Sequence, residues 1–98
     1  MEYPRYPLAL SALADLPREE ALAALRQRLV HLDSALSTAE LVRQTHEDRA
    51  VPPLCVVDYD YETHMRRAER DWTARLLDDI DAGRLTWPAN KREYDDEQ

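Results

Sequence analysis

The sequence predicts an all-α fold, in which a short N-terminal helix precedes two long antiparallel helices that pair with a second copy into a dimeric helical bundle. Leu and Ala dominate the composition, Phe is absent, and the 98 residues include a single Gly, which disfavours a sheet and its turns. Apolar residues recur at helical spacing in two stretches, and Pro52 and Pro53 separate them. We expect one domain over residues 1–88 and a flexible charged tail over residues 89–98.

The N-terminal segment is predicted to be an extended arm followed by a short helix. Residues 1–7 alternate Pro with Tyr and Arg, and each proline favours extended geometry in the residue before it. Residues 8–14 read LALSALA, and Pro7 suits the first position of a helix. We therefore place the short helix over residues 8–14.

The first long helix is predicted to span residues 17–49. Pro17 suits its start, and Glu19 and Glu20 place negative charge where the helix dipole favours it. Leucines follow at alternating steps of three and four, which makes one apolar stripe. At 1.5 Å per residue the helix is on the order of 50 Å long. Such a helix needs a packing partner along its length.

The second long helix is predicted to begin at Leu54 or shortly after and to end at Gly83, a residue suited to a left-handed C-cap. One stripe at helical spacing runs through it: Leu54, Val57, Tyr61, Met65, Ala68, Trp72, Leu76 and Ile80. Three aspartates crowd its last turn, where the dipole disfavours negative charge. We therefore expect arginines of another segment or subunit near them: Asp78, Asp79 and Asp81.

The two stripes together are the predicted core and dimer seam. Its members are Leu22, Leu25, Leu29, Leu32, Leu36, Met65, Trp72, Leu76 and Ile80. A hairpin of two helices covers one seam of each helix, which leaves other apolar residues to the solvent: Val30, Leu41, Cys55, Tyr59 and Leu77. A two-fold copy would cover them in a four-helix bundle. We therefore expect a homodimer.

The composition argues against several functional classes. A formal net charge of -7 makes the chain a poor binder of nucleic acid by itself. One cysteine excludes an internal disulfide and suits a reducing cytoplasm. No apolar run approaches the length of a membrane span, and the N-terminus lacks the regions of a signal peptide. We expect a cytoplasmic protein that makes no membrane contact.

No pattern in the sequence indicates catalysis, a cofactor or a metal. A single glycine excludes a glycine-rich phosphate loop and a nucleophile elbow. Asp58, Asp60 and Glu62 lack the glycine and the terminal glutamate of a calcium loop, and the three histidines do not have metal-ligand spacing. Cys55 is expected to be a small buried apolar residue, with a redox-sensitive thiol as the alternative. We expect a protein that is not an enzyme.

Two segments resemble the C-terminal helical domain of PadR-family transcriptional regulators, of the virulence-activator type. The first is the opening YPRYPLALSALADLPREEALAALRQRL, and the second is HMRRAERDWTARLLDDIDAGRL, where Glu69, Trp72 and Gly83 fall in the family's pattern. The resemblance covers about residues 3–87 of the chain. It implies a module that dimerises and that responds to a small effector.

In that family a winged helix-turn-helix precedes the domain and binds DNA, and this half does not occur in the 98 residues. The resemblance therefore implies DNA contact only through a winged-helix domain that is not part of this chain. For a small aromatic effector we place a candidate pocket among Tyr61, His64, Met65 and Trp72. For Trp72 we expect packing in the core or at the dimer interface, with a flat wall for an aromatic effector as the alternative. The alternative function is a stand-alone helical interaction protein, either a heterodimer partner or an anti-regulator.

Overall fold

The computed structural model describes residues 10–88, and this part of the chain is a hairpin of two long helices. Helix α1 spans Arg18–Asp48 and helix α2 spans Val57–Asp81, and the two pack against each other in opposite directions. No strand occurs within residues 10–88. The predicted all-α class with two long packed helices is confirmed. The expected arm over residues 1–7 and the tail over residues 89–98 lie outside the described residues.

Helix α1 has the expected start and ends one residue before the predicted limit. The Ala21 N–H donates to the Pro17 carbonyl oxygen at 3.0 Å, which closes the first turn. At the other end the Val51 N–H donates to the His46 carbonyl oxygen at 2.9 Å. Ala50 adopts a φ of 54° there, a left-handed conformation that helix ends usually assign to glycine. The helix therefore ends on a backbone conformation that is strained for alanine.

The connection between the two helices contains a regular 3-10 turn. Residues Pro53–Val56 form a 3-10 turn, and the Cys55 N–H donates to the Pro52 carbonyl oxygen at 2.9 Å. The α-helical part begins at Val57, three residues after the earliest predicted start. Gly83 has a φ of 79°, and its N–H donates to the Ile80 carbonyl oxygen at 3.1 Å. The glycine therefore ends α2 as predicted.

Only part of the predicted helix over residues 8–14 falls within the described residues. Leu10 and Ser11 are helical, and a 3-10 turn follows over Leu13–Asp15. The Leu16 N–H donates to the Leu13 carbonyl oxygen at 3.1 Å, which closes this turn. The segment delivers two leucines, Leu10 and Leu13, to the base of the hairpin.

The hydrophobic core lies at the end of the hairpin that carries the chain termini, which we call the terminal end. Leu22, Leu25 and Ile80 form a buried cluster there. Partly buried side chains pack against this cluster: Leu10, Leu13, Leu76, Leu77 and Trp87. The Trp87 indole N–H donates to the Leu16 carbonyl oxygen at 3.0 Å. The molecule is a rod of 58 × 25 × 18 Å with its core concentrated at one end.

Arginines of the same chain surround the acidic end of α2. Arg84 donates to the carboxylates of Asp78 and Asp79, and its hydrogen bond to Asp79 raises the pKa of the arginine above its usual value. Arg26 lies 3.9 Å from the Asp81 carboxylate. The expected arginines are thus present, and they come from the hairpin itself.

Most of the side chains expected to be exposed on the hairpin are exposed. Val30, Leu41 and Tyr59 are exposed, as is Cys55, whereas Leu77 is half-buried beside the core cluster. Cys55 had two expectations, exposure on a single hairpin and burial as a small apolar residue. The hairpin agrees with the first and not with the second, because the Pro52–Pro53 turn holds the residue at its tip. Among the described residues, neither helix combines the length and the apolar character that a bilayer crossing requires.

Candidate functional site

The most prominent surface feature is an apolar stripe that starts at Leu54 in the 3-10 turn and continues along the outer side of α2. Five of its members are between 38% and 82% exposed: Leu54 82%, Val57 53%, Tyr61 64%, Met65 38% and Trp72 43%. Ala68, which lies between Met65 and Trp72, is exposed as well. We call these six residues the apolar stripe. Its part on α2, from Val57 to Trp72, is roughly 22 Å long at 1.5 Å per residue.

Helix α2 turns a different face toward α1. Thr73 and Ile80 are buried there, and Leu77 packs against the core cluster beside them. These residues lie about a third of a helical turn away from the apolar stripe. The rotation of α2 therefore leaves the stripe in solvent, although it is the more hydrophobic side of the helix.

Two ion pairs join the helices in this rotation. The Arg28 guanidinium donates to the Glu69 carboxylate at 2.6 Å, and the two side chains are 20% and 13% exposed. The Arg70 guanidinium donates to the Asp33 carboxylate at 2.8 Å, which raises the pKa of Arg70. Charge-assisted hydrogen bonds of this length are strong and directional. The less exposed Arg28–Glu69 pair restricts the rotation and the sliding of α2 against α1, whereas the more exposed Asp33–Arg70 pair contributes little.

Sequence reasoning missed both ion pairs, but one of them had a signal in the sequence. Arg28 lies three residues after Leu25 and four before Leu32, so helical spacing alone places it on the buried side of α1. A charge in that position needs a partner. The sequence does not show which acidic residue of α2 would supply it.

The Arg28–Glu69 pair also shows which side of the hairpin carries the apolar stripe. Met65 and Trp72 lie four residues before and three residues after Glu69, on the same side of α2. On α1, Ala24 lies four residues before Arg28 and Ala35 lies seven residues after it, which places both on the same side of the helix as Arg28. Large side chains of α2 and small side chains of α1 therefore share one flank of the hairpin. A shallow step from small to large residues runs along that flank.

The four residues of the predicted effector pocket lie on α2 in solvent. Tyr61, Met65 and Trp72 belong to the apolar stripe, and His64 is exposed beside it. The His64 Nδ1 atom lies 2.8 Å from the Asp60 backbone oxygen and 3.5 Å from its carboxylate. A pocket at these residues would need a second surface laid over them. The effector site therefore stays a prediction.

The predicted seam residues have three different environments. Leu22, Leu25, Leu32 and Ile80 are buried within the hairpin. Leu29, Leu36 and Leu76 are half-buried. Met65 and Trp72 lie on the exposed apolar stripe. The seam expected from the sequence is thus divided between the inside of one hairpin and its outer surface.

No candidate metal site lies within residues 10–88. The His, Cys, Asp and Glu side chains there form no group of three or more that could hold a metal ion. The tip carries an edge-to-face contact between His46 and Tyr59, whose ring centres are 5.7 Å apart. No family model, no curated protein and no solved structure matches this chain.

Proposed function

We propose that this chain is the dimerisation and effector-response module of a PadR-like transcriptional regulator, and that DNA contact belongs to a winged-helix domain outside it. The order of the two quoted segments supports the family resemblance. The distribution of burial supports the dimer. The proposal assigns the chain no catalytic step and no cofactor.

One observation carries the dimer: the tip half of the hairpin has no core of its own. Residues 33–48 of α1 and 57–72 of α2 include no buried side chain. The buried residues within positions 10–88 all lie in the terminal half, from Ala21 to Leu32 and from Thr73 to Ile80. Helices of this length gain most of their stability from packing. A second copy laid on the apolar stripe would supply the packing that the tip half lacks.

The oligomeric state in solution tests this proposal. The chain has a mass of 11.4 kDa, and we expect sedimentation equilibrium to give twice that mass at micromolar concentration. Met65→Lys introduces a charge at the apolar stripe, and burying it would cost several kcal/mol, so this variant should sediment as a monomer. Gln44→Lys adds the same charge at an exposed position of α1 and should stay dimeric. A wild-type chain that sediments as a monomer would refute the dimer.

Effector response has a separate test, which uses Trp72 as the reporter. In a Trp87→Phe background, Trp72 is the one remaining tryptophan. A planar phenolic acid that enters between two copies would stack on the indole and quench its fluorescence. The binding curve should saturate, and it should be lost in Met65→Lys. Quenching that is linear in ligand and equal in both proteins would be collisional and would contradict a site.

The regulator assignment is tested by the DNA sequence upstream of Met1. We expect the same reading frame to encode a winged helix-turn-helix. If no such sequence is present and the chain dimerises only with a second protein, the chain would be a stand-alone partner or anti-regulator instead. That outcome would contradict the assignment to the regulator and leave the apolar stripe as its binding surface.

A further inference from the structure

The apolar stripe is spaced almost symmetrically along the chain about position 63. Leu54 and Trp72 lie nine residues on either side of this position, and Tyr61 and Met65 lie two residues on either side. Val57 lies six residues before it, and Ala68 lies five after it. The stripe therefore has nearly the same spacing when it is followed in either direction.

A stripe with this symmetry is complementary to itself when two copies run in opposite directions. We propose that the apolar stripe pairs antiparallel with the stripe of a second copy, around a two-fold axis near position 63. This inference rests on the proposed dimer and adds its face, its orientation and its register. Each copy then contributes the same patch to the interface, as two-fold symmetry requires.

The side chains brought together by this register are complementary in size. Leu54 of one copy meets Trp72 of the other, and Val57 meets Ala68, so a large residue is placed opposite a smaller one along most of the stripe. Tyr61 meets Met65 next to the axis, where the thioether sulfur can contact the edge of the ring. A parallel pair would instead place Trp72 on Trp72 and Ala68 on Ala68, which alternates crowding with a gap.

The amount of exposed surface agrees with one such partner. A fully exposed large side chain presents roughly 150–250 Å². At the observed exposures, between 38% and 82%, the five large members of the stripe present about 500 Å² per copy. A pair would bury about 1,000 Å² in total from these residues, which reaches the lower limit of a specific interface. The flanking alanines of α1 would add to this area.

The spacing also predicts the shape of the pair. Leu54 and Met65 are eleven residues apart, as are Val57 and Ala68, and Tyr61 and Trp72. Eleven residues make slightly more than three helical turns, and a repeat of this length favours a shallow right-handed supercoil. Two α2 helices that wind slightly around each other can therefore stay in contact along the part of the stripe that they carry, from Val57 to Trp72.

The antiparallel register has a long-range consequence. Position 63 and the end of α2 at Asp81 are eighteen residues apart, which is about 27 Å of helix. The two terminal ends then lie at opposite ends of the assembly, about 54 Å apart. In a parallel pair the same ends would lie side by side. The distance between spin labels attached at Ala82→Cys separates the two arrangements.

Disulfide trapping tests the orientation directly, in a Cys55→Ser background. The double variant Val57→Cys with Ala68→Cys should form a covalent dimer on mild oxidation, because the pairing brings these positions together across the axis. Each single variant should stay uncrosslinked. In the antiparallel pair the two copies of position 68 are about 15 Å apart along the helices, which is beyond the reach of a disulfide. The singles are therefore matched controls for the double variant.

The outcomes separate the orientation from the dimer itself. Covalent dimers from Ala68→Cys alone, together with a short distance between the Ala82 labels, would show a parallel pair and overturn the proposal. The chain could also sediment as a dimer that no cysteine variant traps, with a label distance far from 54 Å. That result would show that the dimer uses another face, and it would also overturn the proposed antiparallel pairing. A monomer in sedimentation, with the stripe covered by the chain's own residues 1–9 or 89–98, would overturn the proposed dimer as well.

Discussion

Removing one partner of the Arg28–Glu69 pair should destabilise the hairpin far more than breaking the Asp33–Arg70 pair. Both pairs join α1 to α2, at 2.6 Å and 2.8 Å. They differ in solvent access: Arg28 and Glu69 are 20% and 13% exposed, whereas Arg70 and Asp33 are 38% and 52% exposed. Water can replace the lost partner in the second pair and much less in the first.

The magnitude for Glu69→Ala follows from that difference. Breaking a fully buried ion pair costs about 3–5 kcal/mol in the free energy of unfolding. Arg28 keeps some contact with water, so the loss of the Glu69 carboxylate should cost about 2–3 kcal/mol. With a urea m value of about 1 kcal/mol/M for a chain of this size, the unfolding midpoint should fall by about 2–3 M. Arg70→Met should change the midpoint only slightly, because the Asp33 carboxylate stays hydrated.

Urea unfolding followed by circular dichroism measures both variants at one protein concentration, so that any dimer contributes equally. If Glu69→Ala leaves too little folded protein to measure, the double variant Arg28→Met with Glu69→Leu serves instead. It removes both charges and fills the space, so it should recover most of the wild-type stability. Equal small effects of Glu69→Ala and Arg70→Met would refute our reasoning that burial of the first pair restricts the rotation of α2.

Three further predictions concern the core, the tip and one surface pair. Leu32→Ala should cost about 2–5 kcal/mol in the free energy of unfolding, because Leu32 is 1% exposed. Leu41 is exposed, so Leu41→Ala should cost much less. Equal losses in the two variants would contradict the described burial. Ala50→Gly should stabilise the protein by about 0.5–1 kcal/mol, measured as a higher urea midpoint, because it relieves a φ of 54° that costs an alanine about 1–2 kcal/mol. The hydrogen bond from Arg43 lowers the pKa of Glu40 below its usual 4.5. The ionised Glu40 therefore stabilises the folded state above pH 4.5, and this stabilisation is lost as the pH falls through the pKa that Glu40 has in the folded protein. The stability difference between wild type and Glu40→Gln, measured by urea unfolding, should therefore be present at pH 7 and disappear in acid; a difference that persists at pH 2 would contradict the sign.

The elements of the fold could be predicted from the sequence because their signals are local. Pro17 with the acidic first turn marks the start of α1, and the Pro52–Pro53 pair marks the turn. Gly83 marks the end of α2 through its left-handed backbone. Each of these signals acts within a few residues along the chain. The observed helices accordingly begin and end within a few residues of the predicted limits.

The left-handed Ala50 and the 3-10 turn after it were not predicted. Alanine carries no preference for a left-handed conformation, so nothing in its identity marks the end of α1. The prolines after it exclude a continuous helix, but they do not select a 3-10 turn over an open loop. The closing contacts depend on how the two helices approach each other at the tip.

By itself, the sequence determined the helical class, the two long helices and the presence of more apolar surface than one hairpin covers, because period, proline and glycine signals need no knowledge of distant residues. Which side of α2 faces α1 was decided only in the tertiary structure. The sequence shows the most hydrophobic stripe of α2, but the Arg28–Glu69 pair and the cluster around Ile80 turn a different side inward. Rotation of a helix depends on contacts between residues about forty positions apart, and periodicity along one helix carries no information about such partners. Trp72 and Met65 therefore lie on the outer surface of the hairpin instead of in its core.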